Sequence, residues 1–261
     1  MMDLEYLEIS LTEHCNLNCK GCSHFSPIAE PSFIQIDTFK RDIMQISRLF
    51  DKKIKCLRLM GGEPLLHPCV GNILGLARLA CPDSNILLVT NGIKLGSMTD
   101  SFWQSCVNNR ITIHVTKYPI PFDYEKAILA AQRRGATVTV SSNSLLKEKT
   151  FHHLVLDRAG KQDRILNFNQ LCTCSSCTNL SDGKLYPCPI VASVHHFNRF
   201  FDFDFPVTEK DYVDIYQNKI SAQSILAFLQ QPIPFCEYCN CSAITHGHKW
   251  EYSERTISEW T

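Results

Sequence analysis

The chain has 261 residues, long enough for an α/β domain of ordinary size with a small appendage, and its 26 Lys and Arg balance 26 Asp and Glu. A net charge of zero offers no electrostatic footprint for nucleic acid or for an anionic membrane. No window reaches the roughly 18 consecutive apolar residues of a spanning helix, and the start Met1-Met2-Asp3-Leu4-Glu5 lacks the basic and apolar regions of a signal peptide, so a soluble cytoplasmic protein is expected.

From the N-terminus onward, short apolar or β-branched runs alternate with amphipathic ones, the pattern of parallel strands crossed by helices. Strands are predicted over 6–11, 56–60, 86–90, 111–116 and 137–141, each nearly continuous in apolar residues, as suits strands buried on both faces. Asp37 reads as the N-cap of a helix presenting Phe39, Ile43, Ile46 and Phe50 on one face. The same period returns in Val70, Ile73, Leu74 and Ala77, more weakly in Phe102, Cys106 and Val107, and again in Ala127, Ile128 and Ala131. For the last of these Asp123 is a cap and Gly135 stands at the C-cap. Five βα units result, and 164–168 reads as a sixth strand. Periodicity alone does not separate a barrel from an open doubly wound sheet.

The polar chemistry falls on the loops that leave the strands' carboxyl ends, where parallel α/β folds keep their functional groups. Cys15-Asn16-Leu17-Asn18-Cys19-Lys20-Gly21-Cys22 leaves the first strand, Gly61-Gly62-Glu63-Pro64 the second, Thr90-Asn91-Gly92 the third and Lys117-Tyr118-Pro119 the fourth. Three thiolates in eight residues ask for a metal. Soft thiolates suit an iron-sulfur cluster, and a site with only three of them keeps a coordination position open for chemistry. A closed structural zinc site would instead show paired C-x2-C spacing.

Fourteen cysteines in a chain expected to meet a reducing compartment point to metal or redox chemistry rather than to disulfides. Beyond the first three, Cys56, Cys69, Cys81 and Cys106 are scattered. Seven come late, at Cys172, Cys174, Cys177, Cys188, Cys236, Cys239 and Cys241. From Leu171 the βα alternation stops. A hairpin is expected around Ser181-Asp182-Gly183, then a helix over 221–229, then Cys236-x2-Cys239.

Cys15-x3-Cys19-x2-Cys22 after one strand, with Gly61-Gly62-Glu63-Pro64 after the next, resembles the radical S-adenosylmethionine (radical SAM) superfamily over about the first 140 residues. The resemblance implies an α/β fold, a partial (β/α)6 TIM-like barrel, in which Cys15, Cys19 and Cys22 bind a 4Fe-4S cluster whose fourth iron is left for the amino and carboxylate groups of SAM. It implies that Gly61 and Gly62 let SAM approach the backbone, with Glu63 near the methionyl amino group and Thr90 and Asn91 as further cofactor-binding candidates. For Asn91-Gly92 a plain surface turn serves about as well. The family usually places an aromatic residue before the third cysteine. Here it is Gly21, and His24 and Phe25 are the nearest substitutes.

The late region is similar to the SPASM or twitch extension of such enzymes, the shorter twitch form with one auxiliary 4Fe-4S cluster being favoured. The expected division is a core over 1–168 and an auxiliary iron-sulfur domain over 169–261. Family spacing selects Cys172, Cys188, Cys236 and Cys239 as ligands, with Cys177 able to replace Cys172 and Cys174 or Cys241 as spares. A four-cysteine zinc site is the alternative for that region, since zinc ribbons also pair hairpins with C-x2-C, and the first cluster argues against it.

With two clusters and SAM as cofactors, the resemblance implies reductive cleavage of SAM to a 5′-deoxyadenosyl radical that abstracts hydrogen, with a small reducing protein such as flavodoxin or ferredoxin as donor. Little chain precedes the first strand, so a small substrate is expected rather than a peptide. The outline is similar to the SAM-dependent 2-deoxy-scyllo-inosamine dehydrogenase type, which favours oxidation or epimerisation of a sugar-like or cyclitol carbon. Maturation of a ribosomally made peptide and a non-catalytic iron-sulfur or zinc protein are the alternatives. An epimerase needs a hydrogen donor, and Cys69 is the scattered thiol best placed for it, although a small buried residue at a helix start is the simpler explanation.

Overall fold

The computed structural model describes residues 2–141, 150–153 and 155–261. Their contacts divide them into two compact units, one within Met1–Leu17 and Pro31–Lys149, the other within Asn18–Glu30 and Thr150–Thr261.

The first unit alternates β1 (Leu4–Thr12), α1 (Ile36–Leu49), β2 (Ile54–Gly61), α2 (Val70–Ala80), β3 (Asn85–Thr90), α3 (Asp100–Asn108), β4 (Thr112–Val115), α4 (Tyr124–Arg133) and β5 (Thr137–Val140). The strands are parallel and lie in the order β5-β4-β3-β2-β1. Each crossover steps to the next strand in the same direction, and right-handed crossovers of that kind put every helix on one face. This is the plan of a partial TIM-like barrel. A doubly wound sheet would carry helices on both faces.

Side-chain alternation agrees. Leu7, Ile9, Leu11, Leu57, Leu59, Ile86, Leu88, Ile113 and Val115 are each at most 2% exposed, as are Phe39, Ile43, Ile46, Ile73, Leu74 and Ala77 from the helices. Burial of each large side chain stabilises the unit by about 1.5–3 kcal/mol. The intervening strand residues Tyr6, Ser10, Cys56, Arg58, Met60, Leu87, Val89 and His114 are only half-buried and belong to the helix-free face. The strands are therefore two-faced, where continuous apolar runs had been expected.

Of the two expected aspartate caps, one changes. Asp37 lies inside the first turn of α1, where its charge faces the helix N-terminus, and Gln35 occupies the cap position without a side-chain bond. Asp123 does cap α4, accepting from the Lys126 N–H at 2.9 Å, and Gly135 follows that helix at φ 82°. Between α2 and β3 the chain is held by Arg78, whose guanidinium donates to the carbonyls of Cys81, Pro82 and Ser84 at 3.1, 2.9 and 2.8 Å.

The second unit contains β6 (Thr150–His153), a single turn α5 (Arg164–Leu166) continued by a π-helical turn over Asn167–Leu171, β7 (Asn179–Ser181), β8 (Lys184–Tyr186), α6 (Pro189–Phe201), β9 (Val213–Asp214), α7 (Ala222–Leu229) and β10 (Thr245–Lys249). The sixth strand expected over 164–168 is helical instead. Asp163 caps the turn by accepting from the Ile165 and Leu166 N–H groups at 2.9 and 3.0 Å, which commits the segment to a helix. The expected hairpin forms as β7 and β8, with Asp182 and Gly183 both at positive φ, 45° and 73°, as its two-residue turn requires. Ser221 caps α7 through a capping box.

The core of this unit is aromatic: Phe25, Phe197, Phe205, Phe235 and Trp260 are each at most 1% exposed. Phe25 packs on Trp260 and Phe197 at ring distances of 5.8 and 6.0 Å. Asn18–Glu30 packs with the late chain, which joins this unit from Thr150 onward. Lys20 N–H donates to the Glu251 carbonyl, Ser253 N–H to Asn18, and the Trp260 indole N–H to Cys22, each at 3.0 Å.

Candidate functional site

The loop that leaves β1 and the end of β2 lie backbone to backbone. Gly62 N–H donates to the Thr12 carbonyl at 2.8 Å and Glu63 N–H to the His14 carbonyl at 3.1 Å. A Cβ on Gly61 would sit 2.2 Å from the Thr12 oxygen, and one on Gly62 would sit 2.0 Å from that of His14. Gly61 is also at φ 123°. The two glycines are thus demanded by the chain's own close approach, whatever else comes near them.

Glu63 is the hub of the rim. It is fully buried, and its Oε1 accepts from Thr90 Oγ1 at 2.7 Å and from the Leu65 N–H at 3.0 Å. Its Oε2 accepts from the Asn91 N–H at 2.8 Å. Burial pushes this carboxyl up to about 7, against the pull of those three donors. Thr90 Oγ1 in turn accepts from the Gly92 N–H at 2.9 Å. The Asn91 amide donates to Asn16 Oδ1 at 2.7 Å and to Cys15 Sγ at 3.6 Å, while the Leu17 N–H reaches the same sulfur at 3.3 Å. Gly61, Gly62, Glu63, Thr90, Asn91 and Cys15 are therefore brought together in the first unit. Asn16 joins them, and only its position inside the cysteine loop could have suggested it.

Cys19 and Cys22 belong to the second unit. Cys19 pairs in an isolated bridge with Tyr252. For Cys22, burial opposes ionisation, but the hydrogen bond and charge of His24 and the backbone N–H groups of Ser26 and His24 outweigh it and hold the thiol below its ordinary value. Gly21 stands at φ 62°, a left-handed conformation that an aromatic residue would adopt only with strain. The absence of an aromatic side chain there has a backbone cause. Phe25 does not substitute for it, being sealed in the aromatic core.

Six of the seven late cysteines share one apolar cluster: Cys239 and Cys241 lie within it, and Cys172, Cys174, Cys188 and Cys236 pack against it. Cys177 is placed beside them by a 3.0 Å bond from its N–H to the Cys174 carbonyl. Cys172 is lowered to about 6, chiefly by a hydrogen bond from Cys241, whose own thiol is pushed up by that bond. Burial and neighbouring thiols raise Cys188 and Cys239, and burial takes Cys236 up to about 11. Crowded thiols that resist ionisation are a natural seat for a cationic iron-sulfur core, which offsets their mutual repulsion.

All fourteen cysteines are described, and none forms a disulfide. Among the described residues no three His, Cys, Asp or Glu side chains close on a single point as the ligands of one metal ion do. A 4Fe-4S cluster takes one thiolate on each iron and spreads its ligands around a cubane. The soft donor sets of both regions fit such a group.

The remaining candidates are dispersed. Cys69 sits at the N-cap of α2, its N–H donating to His67 Nδ1 at 3.1 Å. His14 packs edge-on to Phe33 at 5.1 Å, and Lys117 pairs with Glu125. His195 and His196 lie on α6, with rings 3.9 Å apart. A group absent from the expected site is Tyr6, Glu8 and Arg58 on the helix-free face. Its signal was the polar alternation Tyr6, Glu8, Ser10 within β1.

A family model described as a 4Fe-4S single cluster domain matches residues 9–134. The chain is 30% identical over 94 residues to GTP 3′,8-cyclase of Sulfurimonas denitrificans, covering 36% of this chain and 29% of that protein. It is 37% identical over 94 residues to molybdenum cofactor biosynthesis protein 1 of Bos taurus, covering 36% and 15%. The chain therefore spans less than a third of the length of these relatives. Among solved structures, BtrN in complex with AdoMet and 2-DOIA has a TM-score of 0.55 at 19% identity, over 92% of this chain and 94% of that one. Native anSMEcpe with bound AdoMet has a TM-score of 0.52 at 12% identity, over 89% and 82%. Both similarities are of fold. Among the described residues no helix is long and apolar enough to cross a membrane.

Proposed function

We propose that this chain is a radical SAM enzyme that binds SAM at a 4Fe-4S cluster held by Cys15, Cys19 and Cys22 and oxidises or epimerises a carbon of a small sugar-like or cyclitol substrate. The sequence spacing, three cysteines in eight residues, supports that ligand set. A cluster held by Cys15, Cys19 and Cys22 would supply one-electron reduction for cleavage of SAM, and a second one held by the late thiols would supply an electron acceptor.

The chain's own residues prepare this chemistry. Asn91 and the Leu17 N–H hydrogen-bond the Cys15 sulfur, and Glu63 fixes Asn91. Gly61 and Gly62 bring the end of β2 against the cysteine loop. In the second unit, Cys172, Cys188, Cys236 and Cys239 would hold the auxiliary 4Fe-4S cluster; these four share an apolar cluster with Cys174 and Cys241, and Cys177 lies beside it.

The observation that carries the oxidative reading is this second set of thiols: a lone hydrogen abstraction has no need of a further redox group. Likeness of fold to BtrN, solved with AdoMet and 2-DOIA, along nearly the whole chain supports the small cyclic substrate. The reaction is tested with a panel of ring-deuterated cyclitols and amino sugars under anaerobic, reducing conditions. Deuterium in 5′-deoxyadenosine together with a ring product two hydrogens lighter is expected. Deuterium transfer only from a peptide panel would replace this reading with peptide maturation.

A further inference from the structure

On the helix-free face of the first unit, β1 and β2 present a polar group that the cofactor chemistry does not use. Glu8 and Arg58 are register partners on adjacent parallel strands, as are Tyr6 and Cys56. The Tyr6 hydroxyl donates to Glu8 Oε1, and Arg58 Nη1 donates to the same hydroxyl at 2.9 Å. Arg58 Nη1 also stands 4.0 Å from Glu8 Oε1. Glu8 is only 3% exposed, whereas the Arg58 side chain keeps 26% of its surface open. Among the described residues, Arg58 Nε is a buried donor with no acceptor.

Such an arrangement aims a guanidinium. Glu8 and Tyr6 hold its back, and the open edge keeps N–H groups for an oxygen acceptor. The buried carboxylate also cancels its charge locally, so the group favours an uncharged acceptor over phosphate or carboxylate. Beside it the face turns apolar. Leu87 is the register partner of Arg58, and Leu87 and Val89 on β3 are half-buried. Beyond them, His114 on β4 is bonded to Thr139 Oγ1 at 2.9 Å, and its pKa is lowered by burial and then by the charge of Arg58. A polar edge, an apolar strip and a second polar edge match a ring that carries hydroxyls on its rim and C–H bonds on its face.

We infer that Arg58, positioned by Tyr6 and Glu8, anchors a hydroxyl of an uncharged cyclic polyol on the helix-free face. The inference rests on the proposed function and names the substrate class of that site as neutral and hydroxyl-rich rather than nucleotide or phosphate. Arg58 is the contact residue, and Tyr6 and Glu8 are positioning residues.

The test is calorimetric titration of the anaerobically reconstituted protein, loaded with SAM, with myo-inositol and with myo-inositol 1-phosphate. Wild type is expected to bind the neutral polyol about tenfold tighter, and Arg58→Met to lose about tenfold in that affinity. Glu8→Gln uncovers the guanidinium charge and should move the preference about tenfold toward the phosphate, a change that a purely structural role would not produce. If Arg58→Met fails to fold, Arg58→Lys replaces it, retaining the charge without the planar fork. The inference is overturned if wild type binds neither ligand or prefers the phosphate, or if the variants fold and keep the wild-type preference. Reductive SAM cleavage by wild type in the same preparation separates the two levels: cleavage without polyol binding sinks this site alone, and no cleavage sinks the proposed function.

Discussion

Asn91 donates its backbone N–H to Glu63 at 2.8 Å, and its side-chain amide reaches past Asn16 to the sulfur of Cys15 at 3.6 Å. One residue thereby connects the Gly-Gly-Glu segment after the second strand to the cysteine loop after the first. Hydrogen bonds to a ligating sulfur stabilise the reduced, more negative cluster. Asn91→Ala should therefore lower the midpoint potential of the SAM-binding cluster by on the order of tens of millivolts. An EPR-monitored redox titration reads the shift, and an unchanged midpoint would show that the contact is idle.

Glu63 gives the rim a pH dependence. Its carboxyl is raised from 4.5 to about 7 by burial, so its contribution to stability is fully present below about 4.5 and is lost as pH rises through about 7. Relative to Glu63→Gln, wild type should lose about 3 kcal/mol between pH 4.5 and 8. Urea midpoints of the two proteins across that range check this. Parallel curves would mean that Glu63 is ionised throughout.

Gly62→Ala would force a Cβ to 2.0 Å from the His14 carbonyl oxygen, a backbone atom with no rotamer to yield. The expected cost is about 3 kcal/mol or more. Iron retention should fall with it, since the displaced loop carries Cys15. Denaturant midpoints and iron content of the purified variant measure both effects.

The late thiols can be sorted by iron counting. Two 4Fe-4S clusters give about eight irons per chain, and loss of one gives about four. Cys239→Ala, at a buried thiol surrounded by others, should leave about four irons together with intact reductive cleavage of SAM. About four irons with one zinc in the wild-type protein would instead assign the late thiols to zinc.

Cys69→Ala separates oxidation from epimerisation. For a dehydrogenase no thiol need return hydrogen to the substrate, and turnover should persist at the wild-type rate. Product analysis by mass spectrometry reads the result. A stalled or diverted product would make Cys69 the donor.

The βα order was legible because strands and helices carry different periods, and the motifs because three cysteines in eight residues have few other uses. Hidden from a linear reading was the two-faced character of the strands: Tyr6 and Glu8 alternate with Leu7 and Ile9, and only the pairing of β1 with β2 brings Arg58 to them. Over 164–168, Ile165, Leu166 and Phe168 suit a strand or a helix alike, and the Asp163 cap decides for the helical turn. Gly21 looked like a missing aromatic residue, and its φ of 62° is a property of the folded loop alone. The gathering of six late thiols depends on long-range packing around Phe197 and Trp260, which spacing within the sequence does not reveal.

The most direct test of the whole account is reductive cleavage of SAM by the anaerobically reconstituted protein with dithionite, compared with a variant carrying Cys15→Ala, Cys19→Ala and Cys22→Ala. The account predicts 5′-deoxyadenosine from wild type and none above background from the variant. Absence of 5′-deoxyadenosine from a wild-type protein containing its full iron, or equal formation by both proteins, would contradict it.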